Sequence, residues 1–352
     1  MSPATAVPRH QIKGGLMKRI GYFLSSEEYG PADLIAQAKA AQEAGFDALW
    51  ISDHFHPWTN AQGESPFVWS VIGAISQVCE LPVTTAVTCP TVRLHPAIIA
   101  QAAATSAVLL GDDRFTLGVG TGEALNEHIL GDVWPRAEVR LAMLEEAVEI
   151  IRQLWTGDVI SYDGDFYSVE TARIFTLPDT PPPVFMSAFG PKALEVACRI
   201  ADGFITTQPD ADGVATFRAA KGATAPTQAG FKVAWGPTRE EAIDAAYELW
   251  PNSGVPGELS QVLPTPEHFE QAAQLVTREK FSENGAFGPD IADHIRAFQP
   301  YLDAGFDDIY VANMGPHWRD LFPAYAKEVL PELRRTATSA DQSAKVSGKT
   351  TS

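Results

Sequence analysis

Basic residues are scarce in this chain of 352 residues: Lys and Arg number 26 against 44 Asp and Glu, a formal net charge of −18. No basic stripe offsets that charge, which argues against a nucleic-acid partner. Any anionic ligand must then be held by backbone amides or a few local cations. Cysteine is rarer still. Cys79, Cys89 and Cys198 are an odd number without metal-ligand spacing, and they are expected to be reduced thiols in a cytoplasmic protein. No run approaches the roughly 18 apolar residues of a membrane span, so no membrane partner is expected. The opening MSPATAVPRHQIKGGL lacks the apolar stretch of a secretory signal. A GxSxG elbow is missing too, which leaves acyl transfer with little support.

What is present is an alternation. Apolar strand-like runs at 19–24, 48–52, 83–88, 115–119, 184–187, 203–206, 232–235 and 308–312 are separated by segments of helical periodicity. Helices are expected over 31–44, 138–154 and 238–250, the first ending at Gly45 and the last opening on Thr238 and two acids. Eight βα units predict an α/β chain, a (β/α)8 TIM barrel with insertions after strands 4 and 7. The first insertion, 157–183, carries Tyr162, Phe166 and Tyr167 and reads as a hairpin. The second, 252–283, is rich in Pro and Gly and then helix-like. Residues 1–16 read as a flexible extension, 17–333 as one barrel, and 334–352 as a disordered, polar tail.

Chemistry concentrates at strand ends. The run 48–52 stops at Asp53, His54, His56 and Trp58, delivering an acid, two imidazoles and an indole to the rim where such barrels carry their active sites. The fourth run ends in Gly118, Gly120, Gly122, Glu123, Asn126 and Glu127. As a dinucleotide loop this is weak, because the glycine offsets are wrong and no ribose-binding acid follows. Close approach of backbone to a flat ligand, with Glu123 and Asn126 turned inward, is the stronger reading; a tight turn with capping residues is the bland one. Two histidines at a strand end also raise a metal site, but runs five, six and eight end without the further ligands it would need, so none is expected. His56 and His95 read as structural, and Glu127 and His128 as solvent-facing. Proton handling beside a flat redox cofactor fits what remains.

SDHFHPW, TCPTVRLHPAIIAQ, GVGTGEALNE and the AFGPKA turn resemble the luciferase-like flavin and deazaflavin superfamily, most closely the glucose-6-phosphate dehydrogenase family that uses coenzyme F420. The likeness runs from about residue 20 to 333. It implies a homodimeric barrel with the deazaflavin at the strand C-termini. It further implies that His54 is the base for a sugar hydroxyl, that Trp58 stabilises charge as hydride leaves, that Glu123 supplies a proton to the reduced ring, and that Glu27 is a further acid near the substrate. By the same likeness Asp53, Ala86, Val87, Cys89, Gly120, Glu123, Asn126, Ser187, Ala188, Phe189 and Gly190 line the cofactor, with a non-proline cis peptide at Ala86-Val87. Thr207, Asp210, Ser260 and Lys280 fall at substrate-binding positions.

The departures from that pattern matter. The family clamps a sugar phosphate with cations at three places, which here fall at Asp210, near Ser260 and near Glu279-Lys280. An Asp in a cation's place repels a phosphate dianion, so an unphosphorylated sugar such as glucose, or a related alcohol, is the expected substrate. Three alternatives stand beside it: an F420-dependent glucose-6-phosphate dehydrogenase, a flavin mononucleotide monooxygenase, and a silent flavin carrier.

Overall fold

Strands buried on both faces and joined by helical crossovers can pair only in parallel, and eight of them here close on themselves. The computed structural model describes residues 19–335 except Asp112 and Asn284. The expected extension 1–16, the expected start at Met17 and positions 336–352 of the expected tail lie outside the described residues. Arg334 and Arg335, assigned to that tail, instead continue the closing helix.

The strands are β1 (Arg19–Leu24), β2 (Leu49–Ile51), β3 (Val83–Thr85), β4 (Phe115–Val119), β5 (Ile160–Asp163), β6 (Ser168–Ala172), β7 (Val184–Ser187), β8 (Gly203–Thr206), β9 (Thr227–Val233) and β10 (Asp308–Asn313). The barrel order is β1-β10-β9-β8-β7-β4-β3-β2, all parallel, while β5 and β6 form a separate antiparallel hairpin in the first insertion. The second insertion is a string of short helices, among them Leu259–Val262, Pro266–Ala273 and Arg278–Ser282. Helix ends follow their cap chemistry. Gly45 closes Pro31–Ala44 in the left-handed conformation at φ 89°, and the Thr238 side chain accepts from the Glu241 amide to open Arg239–Leu249.

The seventh barrel strand lies five residues earlier than the sequence indicates, and the barrel interior explains why. Trp50, Tyr310, Phe185 and Phe23 fill it, with Trp50 stacked on Tyr310 at 4.4 Å. Three of these rings lie over a strand position with no side chain. A Cβ on Gly230 would fall 2.4 Å from Trp50, and similar collisions await at Gly21 with Tyr310 and Gly203 with Phe185. The Trp50 Nε1 donates to Gln228 Oε1 at 2.8 Å, Gln228 Nε2 donates to Asp308, and Arg19 pairs with Asp308. So Thr-Gln-Ala-Gly, polar and small, is a core strand. The chain leaves the barrel after Val233, where the Trp235 amide turns to Asn313 Oδ1.

Candidate active site

All the strand C-termini open at one mouth. There β1 runs into Ser25-Ser26-Glu27-Glu28, β2 into Ser52-Asp53-His54, β3 into Ala86-Val87, β4 into the 120–126 loop, β7 into Ser187–Gly190, and β9 ends on Lys232 and Val233.

Glu27 and His54 are both buried, with His54 Nε2 3.5 Å from Glu27 Oε1. Glu27 also accepts from Ser52 Oγ at 2.6 Å and from Trp58 Nε1 at 3.2 Å. Burial pushes the Glu27 carboxyl up, but the charges of His54 and Lys232 and the Ser52 hydroxyl outweigh it and hold it below the ordinary value. It is therefore a carboxylate, suited to steadying an imidazolium.

Asn126 sets the other side of His54. Its Oδ1 accepts from the Phe55 and His56 amides at 2.9 and 3.2 Å, which fixes the amide orientation and turns Nδ2 toward His54 Nδ1, 3.2 Å away. His54 Nδ1 is also 3.2 Å from the His56 carbonyl. Neutral His54 can accept from Asn126 at Nδ1 and turn Nε2–H to Glu27, or donate from Nδ1 to His56 and leave Nε2 as a base. The imidazolium donates to both the His56 carbonyl and Glu27. One ring can thus take up a proton at the mouth without leaving a donor unpaired.

The glycine loop has a different rationale from the one the sequence invites. A Cβ on Gly118 would lie 1.9 Å from the Thr85 carbonyl, and one on Gly120 would lie 2.7 Å from Val87. Those glycines admit the neighbouring chain rather than a ligand; the peptide there, Ala86-Val87, is cis. Glu127, read as solvent-facing, differs from expectation. Glu127 is fully buried and takes the Arg93 and Val92 amides on Oε2 at 2.7 and 3.3 Å, with Arg93 Nε 3.6 Å from Oε1. Burial pushes its carboxyl up to about 7, against the opposing Arg93 amide and charge. Asp53 is occupied by Thr88 Oγ1 at 2.7 Å and Arg93 Nη2 at 2.9 Å, so its carboxylate faces inward. His128, also read as solvent-facing, is half-buried and engages the Ala124 carbonyl. Cys89 lies beneath Gly122, and burial among Glu127, Glu123 and Asp53 keeps its thiol protonated. His95, read as a loop residue, caps the helix Pro96–Leu110 by accepting from the Ala97 amide.

Two groups of residues at the mouth could wall a flat ligand. Half-buried Ala86, Val87 and Glu123 stand on one side, with Glu123 making only a 3.5 Å contact to Asn126 Nδ2. Ser187 to Gly190 form the other, with Phe189 half-exposed and open space where a Gly190 side chain would lie. The helix Pro191–Ile200 begins there without a side-chain cap, leaving amides for an anion. A flat ring with an anionic tail fits these residues.

The expected substrate positions lie on three segments, the loop after β8 and two short helices of the second insertion. Asp210 caps the helix Ala211–Lys221, its Oδ1 accepting from the Gly213 amide at 2.8 Å. Thr207 is exposed and offers its carbonyl to Tyr301 at 3.1 Å. Ser260 is in the short helix Leu259–Val262, which packs on Ala124–Glu127, and Lys280 is exposed on Arg278–Ser282. Sequence reasoning missed Glu28 and Lys232. Glu28 Oε2 accepts from Trp250 Nε1 at 2.5 Å and its Oε1 from the Gly315 amide at 2.7 Å. Lys232 Nζ lies over the rings of Phe23 and Trp250, 4.8 and 4.4 Å from their centroids. An acid doublet after β1 and a lysine inside an apolar run were the available signals.

A family model described as luciferase-like monooxygenase matches residues 16–312. The chain belongs to that family. It is similar, at 34% identity over 90% of this chain and 96% of the relative, to the F420-dependent glucose-6-phosphate dehydrogenase of Nakamurella multipartita, and at 32% over 90% and 99% to that of Amycolatopsis mediterranei. Among solved structures, an F420-dependent secondary alcohol dehydrogenase in complex with an F420-acetone adduct superposes with a TM-score of 0.81 at 29% identity, covering 89% of this chain and 98% of the other. The coenzyme F420-dependent tetrahydromethanopterin reductase of Methanopyrus kandleri matches in fold, with a TM-score of 0.71, 19% identity and coverage of 90% and 99%.

Proposed function

We propose that this member of the family is an F420-dependent dehydrogenase acting on a CH–OH donor, and that the donor is an unphosphorylated sugar or related polyol. The observation that carries the reading is the Glu27–His54–Trp58 cluster at the barrel mouth, beside residues that could wall a flat ring. When bound, F420 supplies the carbon that accepts hydride. His54 takes the hydroxyl proton as hydride leaves the carbinol carbon, and Glu27 steadies the resulting imidazolium. The Trp58 N–H holds the Glu27 carboxylate in place and keeps one wall of the mouth apolar. Glu123, with its carboxyl otherwise almost uncommitted, is placed to exchange a proton with the ring.

Unphosphorylated substrate is supported by the charge of the mouth, where the Glu27 carboxylate offsets Lys232, and by the lack of a cation at position 210. Ala86, Val87, Gly120 and Ser187 to Gly190 are the proposed cofactor contacts, while Asp53, Asn126 and Cys89 act from beneath by holding the loops. A homodimer is supported by exposed Phe67, Ile98, Val108 and Leu109 on or beside the adjacent helices Val68–Ile75 and Pro96–Leu110. A reducing cytoplasm is supported by three free thiols.

The test mixes purified protein with oxidised F420 and either glucose or glucose 6-phosphate and follows loss of the visible absorbance band. Glucose is expected to be the better donor, and His54→Ala to abolish turnover while leaving F420 binding intact. Preference for glucose 6-phosphate refutes the substrate assignment. Unimpaired turnover by His54→Ala refutes the mechanism.

A further inference from the structure

Lys232 helps to hold Glu27 as a carboxylate, but its own N–H donors have no partner in the site described above. It is penultimate in β9, registered beside Ala312 of β10, and reaches inward over Phe23, which belongs to the interior cluster of the barrel. The ammonium rests on the faces of Phe23 and Trp250. Among the described residues it makes no hydrogen bond or ion pair. Glu27 and Glu28 act on it only through space, and burial lowers its proton affinity against their pull. Both carboxyl groups are already committed, Glu27 to Ser52, Trp58 and His54, Glu28 to Trp250 and the Gly315 amide. The side chain is partly exposed at the mouth, so its N–H donors face the space a substrate would enter.

An ammonium that rests on two aromatic faces and has no protein acceptor keeps its N–H donors for a ligand entering the mouth. The neighbouring acids bias the choice of ligand: Glu27 is a carboxylate, and burial pushes the Glu28 carboxyl up to about 7. The Glu27 charge already offsets that of Lys232, so a carboxylate or phosphate gains little there, whereas a neutral oxygen accepts from the ammonium without meeting that repulsion. Building on the alcohol-oxidation reading above, we infer that Lys232 is a specificity-determining residue that donates to a neutral hydroxyl on the carbon next to the one oxidised. The substrate class is then a vicinal diol or polyol, as distinct from a simple secondary alcohol or a hydroxy acid. The oxidation itself is unchanged: the carbinol loses hydride to F420 and its O–H proton to the His54–Glu27 pair, and becomes a carbonyl.

Three donors sharing one carbinol isolate the contact: propan-2-ol, propane-1,2-diol and lactate, which carry a methyl, a hydroxymethyl and a carboxylate beside the same CH–OH. A hydrogen bond from a charged group contributes about 1.5–3 kcal/mol, so the wild type is expected to favour the diol over propan-2-ol by roughly 10- to 100-fold in kcat/KM, with lactate poorest. In Lys232→Met that preference should collapse to within about threefold, through a KM for the diol that rises more than the KM for propan-2-ol. F420 binding, read by fluorescence quenching, confirms that the variant is folded. Equal use of diol and monool by the wild type overturns the inference without any variant. So do preference for lactate, persistence of the diol preference in Lys232→Met, and an equal fall for all donors. If the wild type reduces F420 with none of several alcohols, the oxidoreductase reading fails and takes this inference with it. If alcohols are oxidised without diol preference, only the inference fails.

Discussion

Glu127 offers a quantitative test of the loop that bears Glu123 and Asn126. It is fully buried, its Oε2 holds the backbone of Val92 and Arg93, and its carboxyl stands at about 7 rather than 4.5. The sign of the pH effect follows directly. Between those two values the unfolded chain releases a proton that the folded chain keeps, so the contribution is complete below about 4.5 and is lost as pH rises through about 7. At about 1.36 kcal/mol for each tenfold in proton affinity, the loss is roughly 3 kcal/mol. Glu127→Gln keeps the volume and a carbonyl acceptor for the two amides but has no proton to lose. Urea unfolding followed by tryptophan fluorescence at several pH values from 5 to 8 should show the wild type falling by about 3 kcal/mol relative to the variant. Titrations common to both proteins cancel in that difference. Parallel curves would refute the reasoning. So would a wild type that gains on the variant with rising pH, because that means Arg93 stabilises the carboxylate more than burial opposes it.

Other consequences are simpler to state. Gly230→Ala forces a methyl to 2.4 Å from a Trp50 ring pinned by Tyr310 and Gln228. It should cost about 1–3 kcal/mol in chemical unfolding, and an unchanged midpoint would mean the interior is looser than described. Trp58→Phe removes the N–H that steadies Glu27 and should lower kcat by roughly tenfold or more with F420 affinity retained; a change confined to F420 affinity would move Trp58 out of the substrate side. Asp210→Ala should cost about 1 kcal/mol as a lost helix cap and leave the ratio of glucose to glucose 6-phosphate turnover unaltered. A rise in glucose 6-phosphate turnover would instead make that carboxylate a filter against phosphate.

The barrel was legible because its strands are apolar and its helices carry caps: β1, β4, β7 and β8 lie where the runs of residues indicate. The seventh barrel strand was not, because Gln228 and Gly230 are core residues only by virtue of Trp50, which comes from a distant part of the chain. The site divides in the same way. His54 and Trp58 could be named because they follow an apolar run with groups that have no reason to be there otherwise, whereas Glu27 was named only through the family likeness. Glu127 was misread because its partners, the Val92 and Arg93 amides, are over thirty residues away and backbone amides leave no trace in composition. Asp210 was read only against the family's cation, and its local use as a helix cap was not seen.

Lys232 was overlooked for a related reason, and the reason bears on specificity. In the strand β9 it follows Gly230 and Phe231, and the glycine is there to admit Trp50. Side chains alternate along a strand, so Gly230 and Lys232 face the same way, inward. The first leaves room for an indole in the barrel floor. The second, one step nearer the mouth, reaches across the Phe23 ring above it. The same inward row therefore sets both the packing beneath the mouth and the cation within it. A substrate that satisfies Lys232 must come from above, since the floor is closed by Phe23, Trp50 and Phe185, and it must bring an oxygen of its own, since Glu27 and Glu28 are already spoken for. Selectivity for a neighbouring hydroxyl follows from the alternation of one strand together with the commitments of two carboxyl groups in the turn after another.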